Sequence, residues 1–293
     1  MAERRAGDRA GEQAYRELTS VLKKDYEKTH SVISVKFSRY ASRYESKDKS
    51  MRRDVEDGRS SKKTYRAWLK NDVFHGAEWN RIVNDAAGAL YERNADAMKK
   101  IYEKQKIVFA QNASFQTKQI EKDAGERLDS GYRDISAVEI LVRDNPELLP
   151  EKKLDSKKDK GWNRQIITNC VIEGILLGEN VLQIALRIGN ETNSKDLNAS
   201  LRYAQTAITC AKNIGRLEAM KEAKRLGLNI KKKWVAVVDT RTRSAHLLLN
   251  GKVQELELPF DSALGPISYP GDPSADPANV WNCRCSLTHV LQS

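Results

Sequence analysis

The sequence predicts a mainly α protein, a region of long helices followed by a small α+β part, and three observations carry that prediction. Two stretches keep apolar residues on one helical stripe for about thirty residues each without proline. A third stripe, Leu197, Leu201, Ala204, Ile208, Ala211, Ile214 and Leu217, is stopped by Gly227. Directly after it the period changes: Trp234 to Val238 reads Trp-Val-Ala-Val-Val, short and β-branched, which suits a buried strand.

Taken in order, Leu18, Val21, Leu22, Tyr26, Ile33, Phe37, Tyr40 and Tyr44 predict one amphipathic helix over 15–44, about 45 Å long. Trp79, Ile82, Val83, Ala86, Leu90, Ala97, Ile101 and Val108 predict a second, with the charged segment Ser46 to Lys63 as the turn between them. Residues 111–131 carry only a weak helical signal. Asn145-Pro146 and Pro150, followed by the nearly all-charged Glu151 to Lys160, predict a boundary. The expected organisation is therefore a long-helix region at 1–150, used for docking or oligomerisation, a linker at 151–160, and an α+β domain at 161–293. Within that domain Trp162 to Leu177 and Asn180 to Ile188 read as helices separated by Gly178. Gly189-Asn190 is the expected C-cap, and Ser194 the N-cap of the third stripe. Asp239 and Thr240 offer capping oxygens for a short helix through Leu249, closed by Asn250-Gly251. A Pro/Gly-rich loop at 259–277 then leads to a last strand around Cys285 to Leu291.

The 293 residues carry a net charge of +11, unevenly spread: residues 1–70 hold +8 (19 basic, 11 acidic) and residues 201–250 hold +8 (11 basic, 3 acidic). Two basic blocks suit polyanionic partners or a solvated surface. Lys221, Lys224 and Arg225, continuing into Lys231, Lys232 and Lys233, form the sharpest cluster and the candidate contact to a DNA backbone. Glu173, Glu179 and Arg187 interrupt the most apolar stretch, so no membrane span is expected, and the charged N-terminus lacks the apolar core of a secretory signal. No glycine-rich nucleotide loop is present, and no cofactor is expected.

The densest run of unusual residues lies near the C-terminus: a strand ending in Asp239, then Thr240-Arg241 with Arg243 and His246, Asn250-Gly251, Tyr269-Pro270-Gly271-Asp272-Pro273, and Asn282-Cys283-Arg284-Cys285. In this order they resemble the phage Mu F-like head-morphogenesis family over about Gln205 to Val290. The resemblance implies a non-enzymatic minor head protein of a tailed bacteriophage. It would sit inside the procapsid with the portal protein, with scaffold or major capsid protein and packaged DNA as further partners. Localisation would be the virion, and the host cytoplasm during assembly.

Read from their own chemistry, Asp239 caps the helix that follows it, and Arg241 and Arg243 pair with Asp239, Asp272 or Asp276 to pin the loop, phosphate contact being the alternative. Arg284 faces away from its flanking cysteines, because side chains on a strand alternate. Cys283 and Cys285 with His246 and His289 are the residue types of a zinc site. Cys-x-Cys is, however, less diagnostic than Cys-x-x-Cys, and His289 would sit about 13 Å along the strand. A Cys/His nucleophilic pair oriented by Asp239 also has the right residue types, but no glycine-rich oxyanion turn accompanies it. The expectation is buried, reduced, metal-free thiols.

Overall fold

The computed structural model describes residues 4–292 of the chain, with side chains from Asp8 onward. It is mainly α, with short antiparallel strands toward the C-terminus. The helices are α1 (Arg4–Ser42), α2 (Glu45–Glu56), α3 (Lys62–Trp68, continued by a π-helical turn Leu69–Val73), α4 (Gly76–Ala124), α5 (Ile135–Asp144), α6 (Ser156–Leu177), α7 (Val181–Arg225), α8 (Ser244–Leu247) and α9 (Pro277–Val280). The strands are β1 (Ile230–Val235), β2 (Val253–Gln254), β3 (Phe260–Ser262), β4 (Gly265–Ile267) and β5 (Ser286–Leu291).

The differences from the sequence expectation have local causes. The segment expected to be a turn at 46–63 is largely helix α2; the turn is confined to the residues around Gly58, whose φ of 72° only glycine adopts without cost. Residues 156–160, expected as linker, are the first turns of α6, because Asp155 accepts from the Lys157 and Lys158 amides at 2.9 and 3.0 Å and so caps the helix. Gly178 does end α6, in the left-handed conformation. Gly189-Asn190 ends nothing. Helix α7 runs through it, and Ser194 lies in the helix interior. Gly189 is there for space: a Cβ would stand 2.2 Å from the Ser34 hydroxyl.

Two compact units emerge, and they do not follow chain order. The first comprises the chain up to Ser20, Met98–Lys152 and everything from Leu201; the second comprises Val21–Ala97 and Lys153–Ser200. The passage at Lys152 to Lys153 falls in the charged segment, whereas the other boundaries fall inside α1, α4 and α7.

The second unit buries an aromatic-rich core of Phe37, Tyr40, Trp68, Phe74 and Trp79 with Ile166, Ile167, Ile184 and Ile188. It also buries a polar group: Asn94 donates to Asp196 at 3.0 Å and to Asp159 at 3.2 Å, and accepts from Tyr26, whose hydroxyl also lies 2.7 Å from that of Ser200. Burial pushes the Asp196 carboxyl up to about 7, and the Asp159 charge adds to it, so the folded state favours the protonated acid. A raised acid contributes stability that is complete below the unfolded pKa of about 4 and is lost as pH rises through about 7. Asp196→Asn should therefore match the parent near pH 3.5 and exceed it at pH 8 by on the order of a few kcal/mol in urea unfolding. An equal difference at both values would contradict this.

In the first unit, β1 is central to an antiparallel sheet of order β2-β1-β5. Lys232 faces His289, Trp234 faces Leu287 and Val235 faces Ser286. Strand β1 begins at Ile230, earlier than expected, and takes in all three lysines; Ile230, Lys232 and Trp234 form its buried face. Beneath lie Leu217, Met220 and Ala223 of α7, Ile120 of α4, and Phe260 and Ile267 of the β3-β4 hairpin.

Candidate functional site

The signature residues converge in the first unit, where the chain leaves β1 and where it enters β5. After Val235 the chain turns at Asp239, whose carboxylate accepts from the Arg241 amide at 3.0 Å and from both Arg284 terminal nitrogens at 2.7 and 2.6 Å. This fork pairing holds the Asp239 carboxyl well below the usual carboxylate range. Thr242 donates to the Val237 carbonyl and lies 3.1 Å from Asp239. The expected pair of Arg241 with Asp239 is present, exposed and at 3.7 Å, but Arg284 makes the closer fork, and Arg243 instead donates to the Trp281 carbonyl. Asp239 closes a turn ahead of α8 rather than capping it, since the residue at the N-cap is Arg243. Asp272 and Asp276 take backbone partners: Asp272 accepts from Ser268 and Ser274, and Asp276 caps α9 through Ala278.

The Asn-Cys-Arg-Cys segment is held by the backbone-facing side chains of α7. Asn282 has a φ of 57°, unusual for a non-glycine residue, and its amide donates to Thr206 at 3.2 Å. Thr209 donates to the Cys283 carbonyl at 2.7 Å, and Asn213 donates to the Cys285 carbonyl at 3.2 Å while accepting from the Leu287 amide at 2.8 Å. Asn213 also donates to the Pro270 carbonyl at 3.1 Å. Beside it Gly271, with a φ of 85°, approaches α7 so closely that a Cβ would stand 2.7 Å from the Cys210 amide nitrogen. One helix face thereby fixes both the Pro-rich loop and the start of β5.

Inside this frame His246 of α8, Cys283 and Cys285 are buried together. The His246 Nδ1 atom is 3.5 Å from the Cys283 sulfur and 3.7 Å from the Cys285 sulfur. Its Nε2 is 2.8 Å from Asn279 Oδ1, and the Asn279 amide nitrogen donates to the Gly265 carbonyl at 2.9 Å. Asn279, not Asp239, is therefore the orienting partner of this histidine; it opens the run Asn279-Val280-Trp281 that leads into Asn282-Cys283-Arg284-Cys285, but the sequence assigns it no role. The Cys285 thiol is driven down to about 4 by its bonds to Cys283 and His246, and Cys283 is driven up by the same shared bond. His289 stands apart from them, with Gln116 at 2.7 Å and Asp123 at 3.0 Å.

A second cluster had no sequence signal beyond two basic residues four apart within an apolar stripe. Lys212 and Arg216 are buried and share one carboxylate, Asp8 of α1, at 3.1 and 3.2 Å. Ser286 donates to Asp8 at 2.7 Å, and Arg216 also binds Asn112 and the Leu287 carbonyl at 3.0 Å each. Burial works to raise the Asp8 pKa, but the two cations outweigh it and leave it lowered. An open groove of about 700 Å³ runs past this cluster, lined in part by Tyr15, Arg16, Val237, Arg241 and Arg284.

Of the six residues of the candidate DNA contact, the structure withdraws one from the surface. Lys232 is fully buried, donating to the Leu256 and Ser268 carbonyls at 3.0 and 2.9 Å, with burial pushing its amine down to about 8, so it is not available to a phosphate. Lys221 pairs with Glu218, Lys224 with Glu257, Arg225 with Glu222 and Lys231 with Glu255. Lys233 lies on the opposite face of β1 from Lys232.

Among known proteins, the family model described as phage Mu protein F like protein matches residues 165–288, beginning earlier than Gln205, within α6. The chain is 30% identical over 129 residues to the minor head protein GP7 of Bacillus phage SPP1, covering 43% of this chain and 40% of that protein. It is 37% identical over 131 residues to the NAD(+)--arginine ADP-ribosyltransferase EFV of Enterococcus faecalis, covering 43% of this chain and 26% of that protein. The chain thus spans well under half the length of each. No helix among the described residues is long and apolar enough to cross a membrane. No solved structure gives a significant match.

Proposed function

We propose that this chain, whose residues 165–288 match the phage Mu protein F like family model, is a minor head protein that acts in the procapsid beside the portal, without an enzymatic reaction of its own. The observation that carries the reading is the use to which the signature residues are put. Asp239 and Arg284 tie the two ends of the motif together, Thr206, Thr209 and Asn213 tie it to α7, and Asn279 holds His246. Each polar group is spent on the chain itself, which suits a rigid module that presents a surface. DNA contact is not needed by this reading, because Lys232 is buried and its basic neighbours are largely paired.

The ADP-ribosyltransferase-named relative keeps a second reading open. The likeness covers 26% of that protein, and the groove beside Arg241 and Arg284 carries only Asp8 and Glu12 as acids, the former tied to two cations. Procapsids purified from an infected or induced host should contain this chain at a low, fixed copy number, and the purified chain should release no nicotinamide from NAD. Its absence from the particles, or nicotinamide release abolished by an Arg241 or Arg284 substitution, would replace this reading with the enzymatic one.

A further inference from the structure

In place of metal-free thiols, we propose that His246, Cys283 and Cys285 bind one zinc ion through Nδ1 and the two sulfurs, as a structural clamp between α8 and the entry to β5. The three ligand atoms lie within 4.8 Å of one another, and all three residues are buried. Tetrahedral zinc with bonds of about 2.0–2.1 Å to nitrogen and about 2.3 Å to sulfur places those atoms about 3.5–3.6 Å apart, and the observed nitrogen-to-sulfur separations are 3.5 and 3.7 Å. The ligand atoms therefore already stand where an ion would hold them.

The hydrogen bonding around the histidine points the same way. The Asn279 amide is oriented from outside, since its nitrogen donates to the Gly265 carbonyl, so its oxygen must face His246 and accept from Nε2–H. That fixes the tautomer and leaves a lone pair on Nδ1 directed at both sulfurs. One lone pair accepts one S–H, so two thiols converge on an acceptor that can serve only one of them. A metal ion uses the lone pair and both sulfurs at once, and an outer partner on the far imidazole nitrogen is the usual support of a metal-bound histidine.

Charge gives a third argument. The three ligands are buried in a pocket walled by the Trp234 ring, whose centroid is 5.3 Å from that of His246. Lys212, whose charge acts on Cys283, is already held by Asp8 and Ser286. Two thiolates and a neutral imidazole around a divalent ion make a neutral unit, which removes the cost of a buried anion. Among the described residues no fourth Cys, His or carboxylate joins the group, so water completes the coordination. His289, the fourth candidate from the sequence, is engaged by Gln116 and Asp123. Binding replaces the two thiol protons with the metal and releases them to solvent.

The full-length chain, purified without a metal-binding tag and refolded in the presence of zinc, should retain about one zinc per chain by elemental analysis. Cobalt titrated into the zinc-free chain should give a thiolate-to-cobalt charge-transfer band together with the visible bands of a tetrahedral ion. Two of the four thiols should become inert to a thiol reagent when metal is present. Cys283→Ser and Cys285→Ser should each lose at least nine-tenths of the bound zinc, and Cys170→Ser should lose none. If the first two variants fail to fold, the cobalt spectrum and thiol count of the parent chain still decide. A folded parent chain that holds less than a tenth of an equivalent of zinc, or binds cobalt without a thiolate band, would overturn the proposal.

Discussion

Replacing Trp234 by alanine should lower the unfolding free energy of the first unit by about 3–5 kcal/mol. The side chain is fully buried and is among the largest so placed. It stacks edge-on against His246 and Phe260, with ring centroids 5.3 Å away in each case, so its removal empties the space between β1, α8 and the β3-β4 hairpin. Its indole N–H has no hydrogen-bond partner among the described residues, which separates shape from polarity. Trp234→Phe should accordingly cost much less than the alanine variant, because no hydrogen bond is lost. Urea unfolding followed by circular dichroism measures both. A loss below about 1 kcal/mol for Trp234→Ala would mean that the sheet does not close over this residue.

The second large effect is expected at a position that looks unimportant in the sequence. Asp8 is one acid among many in a charged first helix, yet it faces both Lys212 and Arg216, which are buried to within a few per cent of their surface. Asp8→Ala leaves two cations without their carboxylate, and breaking a buried pair from one side costs about 3–5 kcal/mol. With Asp8 itself about a third exposed, the lower end of that range is expected. Adding Lys212→Met to Asp8→Ala should recover part of the loss, because one of the stranded charges is then gone. A single variant within about 0.5 kcal/mol of the parent would show that water, not Asp8, satisfies these cations.

These two residues mark what the sequence makes legible. Trp234 is readable as a buried strand residue, although the β-branched run behind it misleads, since β1 stops at Val235 and Val237 and Val238 are exposed; the helices before it are readable because Tyr26, Phe37 and Leu90 keep helical spacing. The start of β1 is not, since Lys231 to Lys233 look like solvated loop; Lys232 turns inward only because two carbonyls from distant segments meet its amine. Gly189 misleads for a similar reason: a glycine admitted for close approach to Ser34 has the same letter as one that ends a helix. The motif Asp239, Arg284, Cys283 and Cys285 stands out as a group, but its pairing does not. That Arg284 meets Asp239 follows from β1 and β5 lying side by side, and that Asn279 rather than Asp239 orients His246 follows from α8 and α9 meeting. The Asp8 cluster is least legible of all, because its members come from opposite ends of the chain.

The proposed role in head assembly rests on association with a portal, and co-expression of this chain with a phage portal protein tests it most directly. The two should purify as one complex with a fixed number of chains per portal ring, measured by light scattering or native mass spectrometry. The complex should survive Lys221→Gln, Lys224→Gln and Lys233→Gln made together, since none of those residues is buried. Purification of the two proteins as separate species, with the chain folded, would contradict the account.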